Sequence, residues 1–554
     1  MKKRIPFLLL GMVSSSALLH AAQNPPWRMI YDNDTTNILN CVSPFNEGRS
    51  QSKKDNQLTD EKIRASVREA VVPGMDAQLI QPCTSWVPWW PSKIVPLAEH
   101  EQWFRERYGT EPDLAEHRYL LAGGDIVGVF IDECHKNNVA ALVSFRCNDG
   151  HHQERSWDEK VPGGVAHCIN RFYVEHPQYR IAPLPSRAIK DRVHNWLVPE
   201  ARAHKERLLA EVIEVYPTLD GIELDFLRHP YYFPDDTPMA ARVEVMCDFI
   251  RKARARLDEV AAKTSGKHRY LGVRVPVNEA EWRDVGLEPS AWRKAGVDYF
   301  NISPSYNMTQ QTGVAALRKD APDAKIYLEL THTTQTWKFG ASGYDGHCWR
   351  RSTREMFINT ARQAYARGAD GVSFFNFVYY RNHGAPPKER GPFDEPPFDY
   401  LPALTDKDKI SRADGYFYLK AEHELFPKPG YKREYKMNIV PAAGNGAATL
   451  RIQMLTDRES RSSELDKPDT PDRGAWAVTL NGKPLAAAKS LATAYPFPTP
   501  FKAGFGHPQQ YLSFAIPAGL LKDGDNIITI DSEKAPPLRL RWIEILQPAT
   551  PGAR

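Results

Sequence analysis

The feature that most constrains the fold is an alternation of apolar, strand-like segments with helical stretches through the first two thirds of the chain. The eight strand candidates span residues 27–39, 76–85, 137–146, 219–227, 270–277, 297–305, 324–333 and 368–377. Such alternation is typical of parallel βαβ units, and eight units of this length fit a closed (β/α)8 barrel. The competing doubly wound sheet is disfavoured because no glycine-rich phosphate loop follows the first strand.

The first 22 residues have the pattern of an export signal. A basic start is followed by a mostly apolar stretch over residues 5–19 and then by the small residues Ala21 and Ala22. The apolar stretch is too short to span a bilayer core of about 30 Å. We therefore expect a signal peptide over residues 1–22 and a secreted or periplasmic protein with no membrane span.

The rest of the chain is long enough for more than one domain. We assign residues 23–382 to the barrel. Residues 383–429 are rich in proline and charge, which predicts a loop or linker region. Short alternating segments separated by turn signals over residues 430–548 predict a β-sandwich. The predicted fold class is α/β, a TIM-type barrel followed by a C-terminal β-sandwich domain.

Charge and cysteine content narrow the functional classes. The formal net charge of +4 is small for 554 residues, and no long basic run lies outside the first residues, which argues against binding of nucleic acid. The seven cysteines of an exported protein permit disulfides, and an odd number leaves at least one cysteine unpaired within the monomer.

Polar residues at the carboxyl ends of the strands are the candidates for chemistry, because the active sites of such barrels lie there. The first strand carries Asp32, which either caps a turn or points into the mouth of the barrel. The third strand is more specific, since its apolar run opens into Arg146, Asn148, Asp149 and His151. A guanidinium binds carboxylates with two parallel hydrogen bonds, and a histidine titrates near neutrality, so this pattern suits an anionic ligand and proton transfer.

Two other interpretations of the third strand stay open. His151, His152, His167 and Cys168 lie close in sequence and favour a metal site, although no known zinc-ligand spacing supports one. An ion pair between Arg146 and Asp149 that only braces a loop is the second interpretation.

The fourth strand places two carboxylates on one face. Alternation along the strand puts Glu223 and Asp225 on the side that faces the barrel interior. Such a pair repels unless one member is protonated or a cation neutralises both, and Arg228 or Arg274 could supply that charge. A buried carboxylate–arginine cluster that organises the mouth without reacting is the competing interpretation.

The run 220–225, which reads Asp-Gly-Ile-Glu-Leu-Asp, is similar to the fourth strand of family 18 chitinases. The catalytic glutamate of that pattern falls on Leu227 here, which excludes chitinase chemistry. The same run and the Arg and Pro that follow it resemble the family-10-like glycosidases of bacteria.

A sharper resemblance is to glycoside hydrolase family 156, the inverting exo-sialidases with an N-terminal barrel and a C-terminal β-sandwich. That family has an acidic residue on strand one, an arginine followed five residues later by a catalytic histidine on strand three, an arginine after strand four and an asparagine on strand eight. The matching positions here are Asp32, Arg146, His151, Arg228 and Asn376. Their order and strand assignments agree with the family.

This resemblance implies an exo-acting hydrolase that releases terminal sialic acid with inversion from sialylated or other anionic glycans. His151 is expected to be the base that activates water and Asp32 the acid, although the two roles could be exchanged. Asp149 is a candidate to orient the His151 imidazole. The resemblance also implies a homodimer, and we expect no metal and no other cofactor. The expected substrate-binding residues are Arg146, Arg228, Asn376, Asp225 and Asn148.

Two alternative functions stay open. A retaining glycosidase of the family-10-like group would use Asp225 and Glu329, about 5–5.5 Å apart, on a neutral or other acidic polysaccharide. The second alternative is a barrel that binds glycans without catalysis. The number of ionisable groups at the strand ends weighs against this second alternative.

Overall fold

The computed structural model describes residues 22–46, 56–183, 188–335, 349–381, 393, 395–420, 432–455, 477–487, 511–531 and 539–549. Apart from its last residue, the predicted signal peptide lies outside the described residues. Six of the seven cysteines are described, and all six are buried. The seventh, Cys348, lies outside the described residues.

Eight parallel strands form a closed barrel in which each strand pairs with its neighbours in chain order and the last pairs with the first. They are β1 Met29–Asp34, β2 Met75–Gln81, β3 Ala140–Arg146, β4 Gly221–Asp225, β5 Tyr270–Pro276, β6 Tyr299–Ser303, β7 Lys325–Thr331 and β8 Gly371–Phe375. All eight predicted strands are confirmed. The first is five residues shorter at its end than predicted, because a helical turn begins at Asn37.

Helices surround the barrel and pack their apolar faces against its outward-facing side chains. Five of the described helices begin at side-chain caps, where Thr59, Asp125, Asn170, Thr353 and Asp406 accept hydrogen bonds from backbone N–H groups of the first turn. None of the helices in the described ranges is long and apolar enough to cross a bilayer. The helices are α1 Asn37–Asn40, α2 Asp60–Arg68, α3 Leu97–Tyr108, α4 Ala115–Leu121, α5 Ile126–Lys136, α6 Arg171–Glu175, α7 Pro199–Val215, α8 Met239–Lys263, α9 Pro289–Lys294, α10 Val314–Asp320, α11 Arg354–Ala366 and α12 Lys407–Ser411.

Side chains that point into the barrel form layers of different polarity. Because successive side chains of a strand alternate, Ile30, Asp32 and Asp34 of β1 all face the interior, from its base to its mouth. Ile30 belongs to a basal apolar layer with Trp27, Ala77, Leu79, Leu142, Tyr299 and Tyr327. Asp32 lies above it among other carboxylates, and Asp34 lies at the open end. The polar residues of one strand therefore occupy two distinct levels.

The C-terminal part of the chain forms two antiparallel sheets. Its strands are β9 Gly415–Leu419, β10 Lys432–Ile439, β11 Ala448–Leu455, β12 Ala477–Leu480, β13 Tyr511–Ile516, β14 Gly524–Asp531 and β15 Arg539–Gln547. One sheet has the order β9, β15, β11, β13 and the short strand Ala486–Ala487, and the other has β10, β14, β12 and the short strand Lys483–Pro484. Apolar side chains from both sheets form one core. This arrangement agrees with the predicted β-sandwich.

Strand β9 lies inside the segment that the proline content predicts to be a loop or linker, and that prediction missed it. The strand binds the barrel as well as β15. Tyr418 N–H donates to Gln310 Oε1 over 3.0 Å, and the Tyr418 hydroxyl donates to the Met308 carbonyl over 3.2 Å. The Tyr418 ring stacks on Trp542 of β15. Tyr418, which joins the sheet to the barrel, therefore lies on a strand. Reasoning from proline content does not detect this strand.

The tight base of the barrel leads to a prediction about stability. A Cβ atom on Gly272 would lie 2.0 Å from the ring of Tyr299, which is fully buried in the basal layer. We expect Gly272→Ala to lower the free energy of unfolding by about 1–3 kcal/mol, measured by urea denaturation. Gly164→Ala is the control, because nothing lies within 4 Å of its Cβ position. Equal stability of the two variants would contradict this packing.

Candidate active site

A cavity of about 190 Å³ opens at the carboxyl ends of the barrel strands. It is lined by residues from several strand ends, as expected for an active site of this fold. Among the lining residues are Asp34, Gln81, Trp89, Arg146, His151, His152 and Arg228. Three predicted site residues, Arg146, His151 and Arg228, therefore lie on one cavity, although Arg228 is 77 positions from His151 in the sequence.

Arg146 joins two carboxylates at the mouth. Its Nη2 donates to Asp34 Oδ1, and its Nη1 donates to Asp149 Oδ2 over 3.1 Å. Asn376 holds Asp34 from the other side, since its Nδ2 donates to Asp34 Oδ2 over 2.8 Å and its Oδ1 accepts from the Asp34 backbone N–H over 2.9 Å. Because both carboxylates take part in charge-assisted hydrogen bonds, the guanidinium is fixed in place.

Asp149 in turn orients His151. Its Oδ1 accepts from His151 Nδ1 and from the His151 backbone N–H, the latter over 3.0 Å. Asp149 is fully buried, whereas the His151 side chain is 22% exposed and reaches the cavity. The expected orienting role of Asp149 is consistent with this geometry, which matches the carboxylate–imidazole pair of hydrolase triads.

Arg228 faces the other ring nitrogen of His151. Its Nη2 contacts His151 Nε2, and its Nη1 donates to the Tyr306 hydroxyl over 3.3 Å. A guanidinium has no acceptor, so Nε2 must accept and Nδ1 must carry the proton, which agrees with the bond to Asp149. Within the described ranges no carboxylate lies at ion-pair distance from Arg228, and its Nε has no hydrogen-bond partner. Arg228 is thus a partly buried cation without a counter-charge in direct contact.

The charges of this network set the protonation states at the mouth. Burial and the charge of Arg228 lower the pKa of His151 to about 3, against the opposing effect of Asp149. Burial would raise the pKa of Asp34, but Arg146, Arg228 and the Asn376 hydrogen bond outweigh it and hold this pKa below its usual range. Near neutral pH the free protein therefore presents a neutral imidazole and an ionised carboxylate.

A second ionic cluster fills the barrel below the mouth. Arg274 binds both oxygens of Glu329, over 2.7 and 2.8 Å, and reaches Asp225 Oδ2 over 3.2 Å. Glu223 forms no ion pair with any arginine of the described ranges, and its carboxyl group accepts a hydrogen bond from Asn301 Nδ2 over 3.2 Å. Burial and the neighbouring Asp32 raise the pKa of Glu223 well above its usual range. The repulsion expected between Glu223 and Asp225 is therefore relieved in both of the expected ways: Arg274 neutralises Asp225, and Glu223 keeps its proton.

Asp32 belongs to this lower layer, which corrects its expected position. It is 1% exposed and does not line the cavity, because Asp34 lies two residues further along β1 and takes the mouth position. Its Oδ2 accepts from Gln81 Nε2 over 3.1 Å, and Gln81 itself lines the cavity. Burial, opposed by Arg274 and assisted by Asp225, raises the pKa of Asp32 to about 8. Asp32 therefore carries the proton that a general acid needs but does not line the cavity. Asp34 lines the cavity but is ionised.

Four other predicted site residues also lie outside the cavity lining. Asn148 bonds the carbonyls of His194 and Tyr231 over 2.8 and 2.7 Å, so it joins loops and does not face a ligand. Asp225 Oδ1 accepts from the backbone N–H groups of Leu227 and Arg228 and so positions the segment after β4. Glu329 is held by Arg274, and Asn376 by Asp34.

Backbone strain concentrates at the same end of the barrel. Nine described residues other than glycine have a positive φ, and five of them lie on segments that follow barrel strands at the mouth. They are Ser85, His152, His229, Ser305 and Asn376, with φ between 49° and 60°. Such conformations persist where surrounding contacts enforce them and cluster at functional sites.

Asp149, His151 and His229 offer three atoms within 4.8 Å of one another that could ligate a metal ion. Both oxygens of Asp149 already accept hydrogen bonds, from His151, Arg146 and the Ser85 backbone. The guanidinium groups of Arg146 and Arg228 contact members of this group and oppose a further positive charge. The arrangement suits proton transfer better than cation binding.

No protein-family model matches the sequence, and no curated protein matches it. Three similar solved structures are a cycloisomaltooligosaccharide glucanotransferase from Paenibacillus sp., the PgaB (BpsB) glycoside hydrolase domain from Bordetella bronchiseptica and the Ostrinia furnacalis Group IV chitinase. Their sequence identities to this chain are 10%, 10% and 11%, with TM-scores of 0.30, 0.38 and 0.36.

The matches cover 94%, 69% and 68% of this chain, respectively. The chain spans 57% of the length of the glucanotransferase and 99% of each of the other two. At these identities and TM-scores the similarities carry no argument about activity, and the barrel is established by its own strand pairing.

The buried proton on Asp32 leads to a prediction about pH. In the unfolded chain an aspartate loses its proton near pH 4, whereas the pKa of Asp32 in the folded protein is about 8. The stabilisation from the retained proton is full below pH 4 and is lost as the pH rises toward 8. We expect the free energy of unfolding of the wild type to fall by on the order of a few kcal/mol between pH 5 and pH 8 because of this group. Asp32→Asn should not show that part of the fall.

Urea unfolding of both proteins at the two pH values measures this difference. Asp132→Asn, at an exposed position of α5, is the control and should retain the wild-type pH dependence. If Asp32→Asn loses as much stability as the wild type between pH 5 and 8, Asp32 does not hold the proton.

Proposed function

We propose that this chain is a glycoside hydrolase that releases a terminal, negatively charged sugar of the sialic acid class. The observation that carries the proposal is Arg228, a partly buried guanidinium on the cavity wall with no carboxylate at ion-pair distance in the described part of the chain. A desolvated cation without a counter-charge favours an anionic ligand. Arg146, already paired with two carboxylates, contributes charge but needs no ligand for neutralisation.

The chemistry that we propose is general acid–base catalysis with His151 as the base. Its protonated Nδ1 is held by Asp149, so the lone pair of Nε2 is the group that takes a proton from water. Asp34 is a carboxyl group on the cavity wall, and because Arg146, Arg228 and Asn376 keep it ionised, we assign it the stabilisation of positive charge that develops on the sugar and not the donation of a proton. Asp32 lies below the cavity and contacts it through Gln81, whose amide donates to the Asp32 carboxyl group.

The finer assignment, to the inverting exo-sialidases of family 156, is part of the same proposal. Supporting it, Arg146, His151 and Arg228 share one cavity, and Asn376 binds the carboxylate on strand one. Export of the protein rests on the N-terminal sequence pattern alone. The retaining alternative is disfavoured, because Asp225 and Glu329 both bind Arg274 and do not line the cavity.

Hydrolysis of a chromogenic α-sialoside tests the proposal. We expect release of the chromophore between pH 4 and 8, and NMR of the first-formed sugar should show the β-anomer, because a single displacement by water inverts the anomeric centre. Release of the α-anomer would establish a retaining mechanism. Absence of hydrolysis across a broad panel of glycosides, together with measurable glycan binding, would establish the non-catalytic alternative.

Three substitutions separate the candidate catalytic groups. His151→Ala and Asp34→Asn should each lower kcat/KM for the sialoside by roughly 10²–10⁴-fold, because each removes a group that transfers or stabilises charge at the mouth. Glu329→Gln is expected to keep its rate within about 10-fold per folded molecule, because its carboxylate binds Arg274 and does not reach the cavity. Loss of turnover in Glu329→Gln with a normal rate in His151→Ala would favour the family-10-like alternative.

A further inference from the structure

The contact between Arg228 and His151 blocks the atom that the proposed mechanism needs. Nε2 is the only ring nitrogen of His151 that is free of Asp149, and in this structure Arg228 Nη2 donates to it. A lone pair that accepts from a guanidinium cannot take a proton from water at the same time. The free protein is therefore in a state in which its proposed base is capped.

The two arginines of the cavity differ in how firmly they are held. Arg146 is 5% exposed at its side chain and is fixed between Asp34 and Asp149. Among the described residues, the Arg228 guanidinium contacts only neutral groups, the His151 ring and the Tyr306 hydroxyl, and it lies 5.6 Å from the centre of the Tyr306 ring. Asp225 fixes the Arg228 backbone through its N–H over 3.3 Å. The side chain can therefore exchange its neutral partner for an anion while the backbone stays in place.

We propose that Arg228 acts as a latch on His151, which the carboxylate of the substrate releases by drawing the guanidinium away from Nε2. This inference rests on the proposed function and adds a regulatory role to its cavity. The acidic group of the substrate then both binds the site and makes the base available. A neutral sugar leaves the latch closed.

The charges around His151 support this coupling. Arg228 contacts Nε2, and its charge is the largest influence after burial that lowers the pKa of His151. An anion bound to Arg228 offsets that charge and restores the basicity of the ring. Among the described residues, the charged and titratable groups near His151 are Asp149 and His152 on its own segment, Arg228 and His229 after β4, and Asp34 on β1, while Arg146 on β3 pairs with Asp149.

The latch predicts how specificity is expressed. A carboxylate that only supplied binding energy would change KM, whereas one that frees the base also changes kcat. We therefore expect the methyl ester of a chromogenic α-sialoside to lose at least about 10-fold in kcat relative to the free acid in the wild type. In Arg228→Met the kcat values of acid and ester should differ by less than about 3-fold, because no latch remains.

NMR of histidine labelled with ¹³C measures the latch without any turnover. His151 is assigned from the signal that disappears in His151→Gln. In the wild type, His151 should stay neutral down to pH 4.5, and saturation with free N-acetylneuraminic acid should raise its pKa by at least about one pH unit. In Arg228→Met the pKa should already be raised without the acid, and N-acetylneuraminic acid should add no further increase.

Matched controls make the outcome specific. Neutral N-acetylglucosamine should leave the His151 signal of the wild type unchanged. Arg192→Met removes a nearby guanidinium that pairs with Glu154 and does not contact His151, so it should behave as the wild type. If Arg228→Met does not fold, Arg228→Gln serves instead, since it also removes the positive charge beside His151 and keeps a polar side chain next to the Tyr306 hydroxyl.

An identical His151 pKa in the wild type and in the Arg228 variant would overturn the latch. That result is distinct from failure of the proposed function, because an enzyme that cleaves sialosides with β-anomer release can still lack the latch. Conversely, an Arg228-dependent titration of His151 in a protein that cleaves no sialoside would support the latch and contradict the substrate assignment.

Discussion

The interaction on which the rest of the structure depends is the ion cluster of Arg274 inside the closed barrel. Four carboxylates, those of Asp32, Glu223, Asp225 and Glu329, share this interior with one guanidinium. Desolvated charges must be paired or neutralised, and the barrel does both: Arg274 binds Asp225 and Glu329, while Asp32 and Glu223 keep their protons. Asp225 also connects this cluster to the mouth of the barrel, because its Oδ1 accepts a hydrogen bond from the backbone N–H of Arg228.

The mouth is built from a second chain of charges that runs around the cavity. Asn376 holds Asp34, Asp34 binds Arg146, Arg146 binds Asp149, and Asp149 orients His151. Asp34, Arg146 and Asp149 each pair with an opposite charge in this chain, and Asn376 binds Asp34 through both its amide oxygen and its amide nitrogen. This series of contacts ends at Arg228, which contacts the histidine and, within the part of the protein that the structure describes, no carboxylate. The described groups of the site are thus held in place by the protein, except for the Arg228 guanidinium, whose charge an anionic substrate would neutralise.

The structure brings some of the site residues predicted from the sequence to the cavity and not others, for reasons that differ from residue to residue. Arg146 and His151 are close in the chain and end one strand, so their common location follows from strand periodicity. Asp32 was placed at the mouth, but alternation also allows Asp34 two residues later, and only the stagger of the strands shows which level meets the cavity. Strand β9 was missed because proline content reports local propensity, whereas this strand is stabilised by contacts with Gln310 and Met308.

The sequence by itself determined the number and order of the barrel strands, most of the sandwich strands and the set of charged residues at the strand ends. These follow from periodicity and from chain order, which are local properties. Only the tertiary structure decided that Asp34 rather than Asp32 lines the cavity, that Arg274 neutralises the lower carboxylates, and that Arg228 faces His151. These arrangements depend on distances between residues that are far apart in the chain, for example 112 positions for Arg146 and Asp34. Closure of the barrel sets such distances, and no local sequence pattern contains them.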